Sequence, residues 1–338
     1  MLWRECYTMS QTSTGARTLS AQDTLRVAKE SQRRMNQARR RRSLSLYALL
    51  LPGILFVLLF SYAPMYGLAI GFQKYNIFNG ANPFDAIANS PWVGLANIER
   101  LMKQSKFRQA VANTFIISFM KVGICFPLGI ILALMINEVR SKLMKRTLQT
   151  VMYLPHFVSW VVVGALFMNL LGTTGLVNQL IVALGGEPQK FFMDNAWFRF
   201  ILVISSAWKE TGWNTIVYLA AIASIDPALY EAARIDRANR LQQIWHVTLP
   251  GIAGTIVMML ILRLGGIMDA GFSQILVMYN PTVYKSGDII GTYVYREGIG
   301  KLNWSQGTVV GFFNSLINMV LVLGGNYVSR KLTERSIW

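Results

Sequence analysis

The stretch YEAARIDRANRLQQIWHVTLP, residues 230–250, is a polar island between two long apolar runs. Glu231, Ala232 and Ala233 are strong helix formers, so a short helix is expected there. Asp236 ends that run, and a second short helix is expected through Leu241, Ile244 and Trp245. It should stop near Leu249-Pro250, because proline lacks the backbone N–H that a helix interior uses.

The apolar runs on either side belong to a chain of 338 residues, 53% hydrophobic and only 14% charged. Soluble domains carry about 25% charged residues, so the composition points to a membrane protein. Cys6 and Cys125 are too few for a disulfide framework and have no metal-ligand spacing, and His156 and His246 lie far apart. The chain has no H-E-x-x-H, G-x-S-x-G or Walker-type phosphate loop. A lipid-embedded enzyme built on a nucleophile–base pair or a metal is therefore not expected. If ATP drives this system, another subunit binds it.

Of the net charge of +17, residues 1–45 supply +7, with Arg33, Arg34 and the run Arg39 to Arg42. No aromatic residues interleave with that run. It reads as a basic cytoplasmic tail held by anionic membrane lipid, and no nucleic-acid partner is expected.

Six apolar stretches are long enough for a hydrocarbon core, which needs about 20 residues. They cover residues 46–71, 110–137, 149–172, 197–224, 252–279 and 307–329. The expectation is an all-α polytopic membrane protein with six transmembrane helices over 46–338. Placing both termini inside puts 20 Lys and Arg on the cytoplasmic side and 9 on the other, as the positive-inside rule requires. The polar loop 225–251 then faces the cytoplasm. On the outer side, Trp92 reads first as an interfacial belt residue. The aromatic, glycine-rich segment 280–306 is either a re-entrant or a capping loop.

Ionisable residues within spans mark pathways or buried pairs. Here they are Lys121, Lys209, Glu210, Arg263 and Asp269. Helical spacing puts Lys209, Glu210 and Trp213 on one side of the fourth span. Arg263, Gly266, Ile267 and Ala270 trace one face of the fifth. Asp269 falls off that face and is expected to pair with a neighbouring helix, while Lys121 has no evident partner. The structural alternative for these charges is a Lys209–Glu210 or an Arg263–Asp269 ion pair.

The 230–250 stretch resembles the EAA motif of membrane subunits of ATP-binding-cassette importers. Glu231, Ala232, Ala233, Asp236, Ala238, Val247, Leu249 and Pro250 match at the expected spacing, eight positions in all. Arg237 departs from the pattern, standing where the family usually has the glycine of the turn. From about residue 47 onward the chain is similar to a maltose-type, LplB-like subgroup of these permeases. GFQKYNIFNG (71–80), LQTVMYLPHFVSW (148–160), GIMDAGFSQILVMYNPTVY (266–284) and SRKLTERSIW (329–338) carry that likeness.

The resemblance implies a type I importer permease fold in the bacterial cytoplasmic (inner) membrane. It implies a second homologous permease subunit, two ATPase subunits that bind the ATP and Mg, and an extracytoplasmic solute-binding protein. It also implies an oligosaccharide cargo, in this subgroup often one containing uronic acids, such as alginate or aldouronate. Glu231, Ala232, Ala233, Asp236, Arg237, Ala238 and Arg240 would couple to an ATPase. Glu231 would accept hydrogen bonds, the alanines would keep the helix slim enough for a groove, and the two arginines would add ionic contacts. Sugar contacts of the maltose type, carried over position by position, fall on Lys209, Glu210, Trp213, Arg263, Gly266, Ile267 and Ala270. Two cations among them suit a carboxylate-bearing sugar, which arginine binds bidentately. The competing reading is an ion-coupled secondary transporter, which would show inverted repeats of broken helices.

Overall fold

The computed structural model describes residues 46–333; the basic tail and the last five residues lie outside the described residues. The chain falls into two units, one up to Tyr66 and one from Gly67 onward. The first span, α1 (Leu46–Phe72), is apolar throughout and presents exposed large side chains from Leu46 to Tyr62. Its coil widens to a π turn at Leu58–Tyr62 just ahead of Pro64, whose missing N–H would otherwise leave a carbonyl unpaired.

In the second unit the short α2 (Pro83–Asn89) and α3 (Ala96–Lys103) lead into α4 (Ser105–Asn137), which packs parallel to the long α8 (Asn195–Ala223) at the centre. Gly129 of α4 lets Tyr218 of α8 approach, and Thr215 Oγ1 donates to Gly129 O at 3.3 Å. Asp194 caps α8 by accepting from the backbone N–H groups of Ala196 and Trp197. At Ser224–Asp226 the chain turns by 71° into α9 (Pro227–Ile235). Next comes α10 (Arg240–Gly265), then the short α11 (Phe272–Met278) and the closing α12 (Trp304–Thr333). Among the described residues five helices are long and apolar enough to cross a membrane, and six when α8 and α9 count as one bent span.

Three expected boundaries are corrected. The third span does not begin at 149: α5 (Lys142–Tyr153) ends in a 3-10 turn at Leu154–Phe157, and α6 (Trp160–Leu171) starts afresh behind the Ser159 cap. Pro155 within that turn cannot continue the hydrogen-bond ladder. The apolar span continues through α7 (Leu176–Ala183), so the expected outer loop is partly helical.

The second correction is at Pro250, which ends nothing. A π turn over Ile244–Thr248 closes with Leu249 N–H on Ile244 O, and the helix runs straight on through the proline. The wider turn shifts the ladder so that the proline's missing donor is tolerated.

The third is the fifth span, which is not continuous to 279. Its helix stops at Gly265, a 3-10 turn covers Ile267–Asp269, and Ala270 and Gly271 both take positive φ, +49° and +84°.

The segment after α11 packs into the bundle as a cap. Asn113 Nδ2 donates to Lys285 O and Asp288 O, Arg199 Nη2 donates to Asn113 Oδ1, and Ile290 N–H donates to Thr114 Oγ1. Arg296 binds Asp288 with two parallel hydrogen bonds of 3.0 and 2.6 Å. Trp92 is exposed and stacks on Phe72 at 5.7 Å.

Candidate functional site

Two places gather the residues singled out from the sequence. The first is the turn between α9 and α10. Asp226 caps α9, and Pro227 at its first position fits a helix start. At the far end Ala238 N–H reaches back to Ala233 O and Arg237 N–H to Arg234 O. This is a Schellman ending, which needs a left-handed residue at its corner. Arg237 supplies it with φ +55°, so the turn expected of glycine forms with arginine. Asn239 and Gln242 then make a reciprocal capping box that starts α10. Tyr230 Oη and Thr248 Oγ1, 3.0 Å apart, tie α9 to the base of α10.

Of the seven coupling candidates, Glu231, Ala232, Asp236, Arg237 and Arg240 are exposed, and Ala233 and Ala238 half-buried. Glu231 and Arg240 line a cleft of about 370 Å³ that also takes in Arg234 and Glu138. Arg240 already pairs within the chain, 3.3 Å from Glu138 on the end of α4. Large apolar side chains are exposed beside these charges: Leu229, Ile235, Leu241 and Trp245. Solvated apolar groups of this size next to charges mark a face built for a protein partner.

The second place is the break after α10. Five of the seven pathway candidates meet there, for Glu210, Arg263, Gly266, Ile267 and Ala270 line one small cavity with Ser118, Lys121, Val122, Asp269 and Gly271. The reason differs from the one expected. The four residues from α10 onward do not share a helical face, because the helix ends at Gly265; the 3-10 turn folds them around the opening. The turn's backbone is held from α4, where Ser118 Oγ donates to Ile267 O and Lys121 Nζ donates to Ala270 O. Irregular backbone at membrane depth is tolerated when it is buried in protein or lines a cavity.

Lys209 and Trp213 are the exceptions. Lys209 is buried against the 3-10 turn, with Nζ 2.6 Å from His156 O and over the Trp160 ring. Trp213 stacks on His156 with ring centres 4.5 Å apart and planes 6° apart. Neighbouring residues 209 and 210 thus face different partners, since one residue turns a helix by about 100°. Neither ion pair expected for the structural alternative forms. Arg263 pairs with Glu210, while Asp269 is exposed and pairs with no helix among the described residues. Lys121 gains two acceptors in place of none, Ala270 O and Gln274 Oε1. Lys209 takes the Pro155 and His156 carbonyls at this kink, and the His156 Nδ1 atom is buried without a hydrogen-bond partner.

The chain matches a known family. The model of the binding-protein-dependent transport system inner membrane component matches residues 126–334. The chain belongs to this family. The permease is 42% identical to the polygalacturonan/rhamnogalacturonan transport system permease protein YteP of Bacillus subtilis (strain 168), over 87% of this chain and 90% of that one. It is 41% identical to Protein LplB of the same organism, over 87% of this chain and 91% of that one. Among solved structures it matches a bacterial ABC transporter involved in the import of the acidic polysaccharide alginate. There the TM-score is 0.80 at 41% identity, covering 87% of this chain and 97% of the other. The permease is thus an all-helical, multi-pass inner-membrane subunit of an ABC importer, not itself an enzyme. Family membership sets aside the ion-coupled alternative.

Proposed function

We propose that this permease passes an acidic, uronate-containing oligosaccharide from an extracytoplasmic binding protein to the cytoplasm. It would work as one of two homologous permease subunits, powered by two ATPase subunits that hold ATP and Mg. The observation that carries the acidic cargo is Arg263. Its side chain is 43% exposed at the helix break and meets Glu210 through a single contact of 3.8 Å. A guanidinium so loosely held keeps most of its five donors for a carboxylate. Two relatives with acidic sugars in their names, a polygalacturonan permease and an alginate importer, support the same reading.

In this reading both termini lie in the cytoplasm, residues 1–45 are a lipid-associated tail, and 46–338 are the permease domain. The α9–α10 turn docks in a groove of the ATPase. Glu231, Asp236 and Arg237 offer polar contacts there, Ala232, Ala233 and Ala238 allow close approach, and Arg240 braces the turn against α4. At the cavity, Glu210, Arg263, Gly266, Ile267 and Ala270 meet the cargo. Trp213 offers an apolar plane to a pyranose face, and Lys209 holds the turn that carries its stacking partner His156.

The test is ATP hydrolysis by the reconstituted complex with its binding protein. Oligouronates are compared with the same sugars after reduction of their carboxyls to alcohols. Stimulation by the acidic series alone is expected. Equal stimulation by the reduced sugars would keep the importer and overturn the acidic cargo.

A further inference from the structure

Lys121 is 3% exposed in the middle of α4 and makes no ion pair among the described residues. An ammonium has three donors. Two are spent on neutral acceptors, Ala270 O at 2.8 Å and Gln274 Oε1 at 2.5 Å. Those acceptors are fixed in turn. Ser206 Oγ donates to the same Gln274 oxygen, and Gln274 Nε2 donates to Ser205 Oγ and Leu202 O. A chain of hydrogen bonds therefore joins α4, α8 and α11 and holds the ammonium in place. Gly271 is required beside it, since a Cβ there would lie 2.4 Å from Nζ. The third donor is left for the cavity that Lys121 lines.

That cavity has a volume of about 60 Å³, roughly two water molecules' share of liquid volume. It accommodates a carboxylate and excludes a pyranose ring. Arg263 stands exposed in its wall and Lys121 buried, with Ser118 one turn before Lys121 on the same face of α4. A buried ammonium with only neutral partners is costly in a membrane interior, and an anion entering the cavity would relieve that cost.

We propose that Lys121 is a second cationic ligand for a cargo carboxylate, acting together with Arg263. This rests on the acidic-cargo reading above. Glu210 pairs with Arg263 and not with Lys121, so an incoming carboxylate displaces Glu210 from Arg263 and takes its place between the two cations. The sugar ring stays outside, over the side-chain-free edge at Gly266, while its carboxylate reaches in.

The reconstituted importer with its ATPases and binding protein provides the test. Wild type, Lys121→Met and Lys121→Arg are compared on galacturonan and alginate oligomers and on their carboxyl-reduced counterparts. In Lys121→Met the half-saturating concentration of the acidic oligomers is expected to rise about tenfold or more, the value of one charge-assisted hydrogen bond. The reduced oligomers should be unaffected, and Lys121→Arg should recover part of the loss. If Lys121→Met does not assemble, Lys121→Gln retains a donor for Ala270 O and yields the same ratio. An equal shift of both series in the Lys121 variants, or no shift, overturns the proposal. A wild type indifferent to carboxyl reduction instead overturns the acidic-cargo reading beneath it.

Discussion

The guanidinium of Arg263 stands 3.8 Å from the carboxylate of Glu210, the only ion pair among the described residues that joins α8 to α10. One contact at that distance, with both side chains partly exposed, contributes little to stability. Its place at the broken helix makes it a competitor for whatever anion Arg263 binds.

Removing the competitor should therefore tighten binding and slow release. Glu210→Gln is expected to lower the half-saturating concentration of acidic oligomers by about tenfold. Maximal uptake should fall, because the carboxylate no longer has a rival that returns Arg263 to its resting partner. A substrate titration of ATP hydrolysis beside an uptake assay would show the half-saturating concentration and the maximal uptake falling together.

Glu231 is exposed on α9 and makes no ion pair among the described residues. Glu231→Lys is expected to change stability by no more than about 0.5 kcal/mol, as for most surface substitutions. Under the coupling role proposed for Glu231, uptake should be lost all the same, because the new cation would face a partner site that takes a carboxylate. Melting temperature and transport measured on the same preparation would separate the two effects. Normal uptake would remove Glu231 from the coupling face.

At the α9–α10 corner, Arg237 carries positive φ, which costs a non-glycine residue roughly 1 kcal/mol. Arg237→Gly should relieve that cost and raise the melting temperature slightly while leaving the Schellman ending intact. A lowered melting temperature would mean that the guanidinium contributes more than the strained backbone takes away.

A different outcome is expected at Gly212, where a Cβ would lie 2.0 Å from Met152 O and 2.7 Å from its carbonyl carbon. The obstacle is backbone, so no rotamer change relieves it. Gly212→Ala should destabilise the permease by about 3 kcal/mol, despite alanine's better helix propensity. The drop in melting temperature should be accompanied by loss of the His156–Trp213 stack, visible as a change in tryptophan fluorescence.

The capping segment should respond to acid. Burial pushes the Glu297 carboxyl up, but hydrogen bonds and charges from Lys301 and Arg296 outweigh that and hold it below its ordinary value of 4.5. A depressed folded value means the unfolded chain takes up the proton first. The contribution of Glu297 is thus complete above about pH 4.5 and fades as pH falls through the lower folded value. Melting curves of wild type and Glu297→Gln should converge on acidification and separate above that pH.

How much of this was legible in the chain differs from place to place. The EAA turn was, because its determinants are local: Glu231 to Ala233 favour helix, Asp226 and Asn239 cap, and the corner needs one left-handed residue. The broken fifth span was not. A hydropathy window over 252–279 sums apolar residues and is blind to Gly266 and Gly271, which let the backbone leave the helix. Nor could a helical wheel separate Lys209 from Glu210. Their partners are set by the Pro155 turn on one side and by Arg263 on the other, both distant in sequence. Pro250 misled in the opposite direction, because a five-residue π turn just before it, Ile244–Thr248, absorbs the missing donor.

That π turn also has a mechanical meaning. Since Pro250 introduces no joint, Arg240–Gly265 is a single strut of 26 residues, about 39 Å from end to end. Its lower end is pinned beside the α9–α10 corner by Tyr230 and Thr248, and its upper end is the rim of the cavity. A push delivered at the corner is not dissipated along the way. The first place the backbone can yield is Gly266–Gly271, so under the coupling proposed for the corner the work of nucleotide closure would arrive at the cavity lined by Arg263 and Lys121 and be spent on prising open the grip on the load.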